Sequence, residues 1–327
     1  MDIITLAPSF VEIAHSRPTS VADFPHWHSH WQQVLSQLAS RSLAHVSQPT
    51  LAASLIAGLC ADRIGYAFAG GYIAALQRLL PEAVHPDRAN PLSAPAAFCV
   101  TEAAGNRPRQ IQTKIEITAN AFTLTGSKSF VTLADHAQWL WVVASRGEIN
   151  GRNALVLAGV ERNSPGITFT PLPALPFAPE ISHAQVQFDH VNGAMRDLLP
   201  GDAYTEYVKP FRTLEDTHVA AATCGLLLGQ AIRRHWPEDA IEPWFSLATH
   251  WLSIASLPPT QRATHLALGG AMSLQKTMLE QHRALILQDG EFAARFTRDA
   301  PLLNVARSAR EKRSQNAWSA LQPQSQG

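Results

Sequence analysis

The amino-acid sequence predicts an α+β protein whose strands are confined to its middle third. Three observations carry this. Apolar residues recur at helical spacing in the first part of the chain, alternate with polar residues in the middle, and return to helical spacing afterwards. The prolines Pro81, Pro86, Pro91 and Pro95 punctuate the first change. The expected domains are a helical domain over 1–95, an antiparallel β-domain over 96–202 and a helical bundle over 203–321. The tail 322–327 is expected to be disordered.

The elements follow in order. Trp27, Trp31, Leu35 and Leu38 lie on one helical face, with Pro25 suited to a first turn. Leu51–Ala61 and Gly70–Leu80 read as buried helices. In the middle, Ile115 and Ile117 alternate with polar residues, Asn120 signals a turn, and Phe122 and Leu124 alternate again. Trp139–Ala144, Ala154–Val160, Ile167–Leu172 and Ala184–Phe188 are further strands. Short strands separated by turns imply a small antiparallel barrel or sandwich, with Trp139, Trp141 and Phe169 in its core. The last part offers four helices, Leu214–Arg234, Pro243–Ser256, Thr260–Gln288 and Glu291–Ala320, interrupted by Pro237, Pro243 and the Pro258–Pro259 pair. Four helices with short links imply an antiparallel bundle.

Bulk properties narrow the function. The 327 residues suffice for two or three packed units. Basic and acidic residues number 26 each, so the chain has no electrostatic footprint for nucleic acid. The cluster Arg307, Arg310, Lys312 and Arg313 reads as a solvated helix face. Cys60, Cys99 and Cys224 form no CxxC pair, which suits a reducing compartment and offers neither a zinc site nor a disulfide framework. The start MDIITLAPSF lacks the pattern of a secretion signal. The apolar stretch Leu51–Leu80 is broken by Asp62, Arg63 and glycines, so it reads as buried helices and not as a membrane span. A soluble cytoplasmic protein is expected.

The segments Phe98–Asn106 (FCVTEAAGN) and Gly126–Thr132 (GSKSFVT) carry the chemistry. Together with the layout of helices, β-domain and bundle, they resemble the acyl-CoA dehydrogenase family, of which the chain looks like a divergent, shortened member. The resemblance is strongest over Phe98–Leu199 and weaker over Thr213–Gln230 and Thr297–Arg313. It implies a middle β-barrel, a C-terminal four-helix bundle and FAD as cofactor. By resemblance, Thr101, Glu102 and Gly105 belong to the flavin-contacting segment. The family continues with a proline and Ala-Gly-Ser-Asp, whereas this chain has Ala103-Ala104-Gly105-Asn106, one residue shorter. Lys128-Ser129-Phe130-Val131-Thr132 resembles the family's Lys-x-Trp-Ile-Thr, in which the ring packs on the flavin and the threonine bonds near its reactive nitrogen. An isoalloxazine edge needs such partners once it is buried. The alternative for the same residues is an ordinary strand with Phe130 in the core and Thr132 facing water.

The family's reaction removes a proton alpha to a thioester, which calls for a positioned carboxylate in a water-poor pocket. Most members place a glutamate shortly after an Arg-Asp-Ala stretch. Here Arg298-Asp299-Ala300 fits the stretch, and the glutamate position falls on Arg307, a cation that keeps its proton. Other members carry the base ten residues before a bundle glycine. That register places Glu215 ahead of Gly225. Glu215 and Asp216 also suit a helix N-terminus, where negative charge meets the helix dipole.

The family's adenosine-binding motifs are not found. Arg233, Arg234 or the Arg307 cluster are the substitutes at hand, and Gly269-Gly270 reads as a close helix contact. His26 and His30 share a helix face, but no carboxylate or histidine completes a metal site. The resemblance implies three functions. The first is an FAD-dependent acyl-CoA dehydrogenase using Glu215. The second is a non-catalytic paralogue serving as partner subunit or ligand-binding protein. The third is a flavin-dependent monooxygenase. An acyl-CoA or related thioester is the expected ligand. A homo-oligomer, or a hetero-oligomer with a related subunit, is the expected assembly.

Overall fold

Helix α3 (Pro49–Cys60) is buried along its whole length from Thr50 onward, and the helical part is built around it. Its sequence has no polar stripe, and such a helix is stable only when covered on all sides. The computed structural model describes residues 7–16, 20–39, 46–80 and 94–321. The chain forms two compact units. The helical unit comprises residues 1–75, 176–180 and 213–327, and the sheet unit comprises 76–175 and 181–212.

In the helical unit, α1 (Ala7–Ser16) and α2 (Phe24–Ala39) cover α3. Trp27 and Trp31 stack at 5.4 Å, and Trp27 also stacks on Tyr66 of α4 (Ile64–Leu79) at 5.5 Å. Each such pair contributes about 0.5–1.5 kcal/mol beyond its buried area. Both indole N–H groups donate into α3, to the carbonyls of Ala57 and Ala53. Pro25 sits in the first turn of α2, as its spacing implies.

Helix α5 (Lys209–Arg233) crosses α3 at close range. A Cβ on Gly58 would lie 1.9 Å from the Ala222 carbonyl oxygen, and one on Gly225 2.1 Å from that of Leu55. Only glycine permits this backbone approach. A π-helical turn over Tyr204–Val208 leads directly into α5.

The rest of the helical unit departs from four simple helices. Helix α6 (Glu238–Ala255) begins after Pro237 and runs through Pro243. That proline removes a single hydrogen bond near the helix start, so it does not end the helix. The expected helix Thr260–Gln288 is two, α7 (Arg262–Gln281) and α8 (Arg283–Leu287), separated at His282. The expected helix Glu291–Ala320 is also two, α9 (Gly290–Asp299) and α10 (Arg307–Ser319), with a 3-10 turn over Ala300–Asn304 between them. Pro301 explains that break. It lacks the N–H that would continue the helical hydrogen-bond ladder.

The sheet unit holds β1 (Ala96–Cys99), β2 (Lys114–Ile117), β3 (Ala121–Thr132), β4 (Trp139–Ile149), β5 (Arg152–Glu161), β6 (Ile167–Pro171), β7 (His183–Ala194) and β8 (Leu198–Leu199). They form one sheet in the order β6-β7-β3-β2-β4-β5-β8, with β1 beside β4. The sheet is mixed: β1 and β2 each run parallel to β4, and the other pairs are antiparallel. The core lies between residues such as Phe122, Leu124, Leu140, Val142, Val186 and Phe188. Trp141 is buried on the opposite face of β4, against Gly159, and Trp139 and Phe169 are only half-buried. Phe169 packs against the core as expected, whereas Trp139 and Trp141 lie outside it, because both faces of β4 carry large side chains.

The boundary prolines Pro81, Pro86 and Pro91, and the tail 322–327, lie outside the described residues. Among the described residues, no helix is long and apolar enough to cross a membrane, and no three His, Cys, Asp or Glu side chains are grouped to hold a metal ion. Cys60, Cys99 and Cys224 are buried, and none forms a disulfide among the described residues.

Candidate functional site

Strand β3 departs from a regular ladder where the site begins. Lys128 pairs with Val186 and Val131 with Ala184, so Ser129 and Phe130 together face Gln185. This β-bulge resets the inside–outside alternation of the strand. Lys128 and Val131 are fully buried, whereas Phe130 is 41% exposed and Thr132 half-buried. Phe130 and Thr132, two residues apart beyond the bulge, share the outer face. Phe130 therefore lies outside the core. His183, opposite Thr132 on β7, packs on the Phe130 ring with centroids 4.3 Å apart. Burial lowers the His183 pKa, so its imidazole is neutral at pH 7.

The bulge also frees the Ser129 N–H, which donates to the Thr101 carbonyl at 2.9 Å. Thr101 is half-buried, and neither its hydroxyl nor that of Thr132 has a hydrogen-bond partner among the described residues. Glu102, by contrast, turns inward. Its Oε1 accepts from Lys128 Nζ (2.7 Å), Thr113 Oγ1 (2.7 Å) and Thr113 N–H (3.1 Å), and its Oε2 accepts from Gln112 N–H (2.7 Å). Lys128 Nζ donates further to the carbonyls of Val143 (2.6 Å) and Val100 (3.4 Å). Burial alone would raise the Glu102 carboxyl, but Lys128 and the surrounding donors outweigh it and hold the pKa below its ordinary value.

Gly105 closes a tight turn with Glu102 through reciprocal backbone bonds of 2.9 and 3.0 Å. Its φ of +121° favours glycine, and a Cβ there would meet the Gln110 side chain at 2.5 Å. The shortened Ala103-Ala104 loop is thus a self-contained hairpin. A separate cleft of about 400 Å³ in the sheet unit, lined by Ile117, Arg146, Leu155, Leu198 and Pro200 among others, includes none of these residues.

In the helical unit, Glu215 is half-buried on α5. The π-helical turn starts the helix at Tyr204, so Glu215 lies well inside it. The helix-dipole reading of Glu215 and Asp216 therefore falls, since that effect is confined to the first turn. Asp216 is buried and held by Arg310 (3.1 Å) and Arg313 of α10. Arg310 also donates to the Leu303 carbonyl at 2.8 Å. Two members of the expected solvated cluster are in this way anchors between helices. Arg307 is exposed and paired with Glu311 at 2.7 Å, which raises its already high pKa.

The other substitutes for adenosine binding are engaged as well. Arg234 pairs with Asp289, and Arg233 donates to the Gly229 carbonyl and to Gln230 Oε1. Arg298 holds Asp299 and Glu180, and the fully buried Asp299 accepts the Ala178 N–H at 2.8 Å. The Arg-Asp-Ala stretch therefore fastens the segment 176–180. Gly269 makes only ordinary contact with Ser314, and Gly270 faces open space, so the expected tight crossing at that pair is absent.

Residues 97–191 match the model of the acyl-CoA dehydrogenase middle domain. Butyryl-CoA dehydrogenase from Megasphaera elsdenii superposes with a TM-score of 0.71 at 14% identity, covering 96% of this chain and 98% of that one. The chain has the acyl-CoA dehydrogenase fold, and its residues 97–191 are similar to the middle domain of that family. A protein described as an FAD-dependent dehydrogenase is similar at a TM-score of 0.68 and 16% identity, covering 97% of this chain and 98% of that one. Glutaryl-CoA dehydrogenase, in complex with glutaryl-CoA, gives 0.62 and 15%, covering 98% and 95%. Curated protein sequences give no match.

Within this acyl-CoA dehydrogenase fold, the sheet unit gathers Thr101, Glu102, Gly105, Phe130 and Thr132 around one hairpin and one bulge, while Glu215 belongs to the helical unit. The hydroxyls of Thr101 and Thr132, unpartnered among the described residues, and the outward aromatic ring fit the tricyclic end of a flavin. The bundle arginines Arg233, Arg234, Arg310 and Arg313 do not fit its pyrophosphate end, because internal partners occupy them. Sequence reasoning missed the Glu102–Lys128 pair and His183. A lysine at an inward position of an alternating strand was the available signal for the first. Nothing in the sequence marked the second.

Proposed function

We propose that this chain is an FAD-dependent, acyl-CoA dehydrogenase-type oxidoreductase acting on an acyl-CoA or related thioester, with Glu215 as its base. One observation carries the reading. The bulge in β3 turns Phe130 and Thr132 to the outer face, and the hydroxyls of Thr101 and Thr132 have no hydrogen-bond partner among the described residues. FAD, when bound, supplies the acceptor for a hydride from the substrate's beta carbon. Thr101 and Thr132 orient its polar edge by hydrogen bonds, and Phe130 shields the ring from water. Gly105 sustains the turn that presents Thr101. The Glu215 carboxylate takes the proton from the alpha carbon onto a carboxylate oxygen.

A second reading keeps the ligand-binding fold without redox chemistry, as a partner subunit or binding protein. The occupation of Arg233, Arg234, Arg310 and Arg313 by internal partners favours it. The visible spectrum of the purified protein, before and after incubation with FAD, separates the two. A flavin band that acyl-CoA bleaches anaerobically in the parent, but not in Glu215→Gln, supports the first reading. A colourless protein that takes up no FAD overturns it. Bleaching retained in Glu215→Gln removes Glu215 from the mechanism.

A further inference from the structure

We propose that the buried Glu102–Lys128 ion pair is a positioning device that fixes Thr101 relative to the Phe130–Thr132 edge. The inference rests on the flavin reading above and deepens it. Two consecutive residues of β3 grip three consecutive residues of the loop. Lys128 Nζ reaches the Val100 carbonyl at 3.4 Å, the Ser129 N–H reaches the Thr101 carbonyl at 2.9 Å, and Lys128 Nζ reaches the Glu102 carboxylate at 2.7 Å. The approach to β2 grips Glu102 from the other side through Gln112 and Thr113. Thr101 precedes Glu102 directly, and Phe130 and Thr132 lie two and four residues beyond Lys128. Movement of the pair would shift the proposed flavin contacts against each other.

Stability alone does not account for such a pair. A buried ion pair is costly to desolvate, and apolar residues of similar volume often stabilise a core as well or better. What apolar residues do not supply is a directional tie between a loop and a strand. A binding site needs that tie, because its groups must hold their geometry to within about 0.5 Å. The bulge belongs to the same device. It releases the Ser129 N–H from the ladder for the loop and turns Phe130 outward in the same step.

The test uses the full chain with the double substitution Glu102→Gln and Lys128→Met, and separately with Thr113→Val. Thr113→Val keeps the ion pair and removes one hydroxyl donor to Glu102. Thermal melting is measured on the apoprotein, and FAD affinity by quenching of flavin fluorescence on the folded fraction. A double variant that melts within a few degrees of the parent, yet binds FAD about tenfold more weakly with a displaced flavin absorption band, supports the positioning role. Thr113→Val is expected to weaken FAD binding about threefold, and it decides the question if the double variant does not fold. Parent-like FAD affinity and spectrum in the folded variants overturn the positioning role and leave the flavin reading standing. A parent that binds no FAD overturns the flavin reading and this inference with it.

Discussion

The sheet unit and the helical unit treat their polar groups in opposite ways. In the sheet unit a buried ion pair sits behind the surface, and the hydroxyls of Thr101 and Thr132 have no hydrogen-bond partner among the described residues, with Phe130 exposed between Lys128 and Thr132 on β3. In the helical unit the arginines that would grip a nucleotide are spent internally, Arg310 and Arg313 on Asp216 and Arg234 on Asp289. A donor already satisfied by a carboxylate gains little from a phosphate, because the old pair must first be broken. The ring end and the nucleotide end of a flavin therefore face different prospects on this fold. The same contrast separates the two readings of its function.

The comparison is broken most severely by a single substitution in the sheet unit. Lys128→Ala leaves the Glu102 carboxylate buried without its cation and is expected to destabilise the protein by about 3–5 kcal/mol, read by urea unfolding. A loss under 1 kcal/mol would place water at the pair. Asp216→Ala tests the helical unit. It strands Arg310 and Arg313, which retain some solvent access, and is expected to cost about 1–3 kcal/mol. Hydrogen exchange should then rise in α10 more than in α2. Equal protection in both would show that α10 does not depend on Asp216.

Titration sharpens the same contrast more gently. The Glu102 pKa is lowered in the folded state, so its contribution is present above the unfolded value of about 4.3 and is lost as pH falls through the lower folded value. Unfolding midpoints of the parent should drop in that acid range, and Glu102→Gln should flatten that part of the profile. The smallest effect is expected at Gly270, which faces open space within α7. Gly270→Ala should stabilise by about 0.5–1 kcal/mol through helix propensity. A destabilised Gly270→Ala would mean that this face is covered, in solution, by something a methyl group displaces.

How much was legible in the sequence varies by residue for physical reasons. Helix α3 and the strands β4 and β5 were legible because burial dictates apolar runs. The split between α9 and α10 was legible in principle at Pro301, yet the helical period on both sides concealed it. Glu215 was read as a residue of a helix start because the π-helical turn ahead of it has no local signature. Arg310 and Arg313 read as a solvated face because Asp216 lies far away in sequence. Their desolvation is a property of the contact and not of either segment.

The sequence by itself determined the order of helical and β segments, the separation of the cysteines and the resemblance of Phe98–Leu199 to the acyl-CoA dehydrogenase middle domain. Each follows from local pattern. Tertiary structure decided which side of β3 Phe130 occupies, because a bulge of one residue reverses the alternation and its position depends on pairing with β7. It also decided which charges are free, because a guanidinium or carboxylate is neutralised only by a partner the folded chain brings within reach.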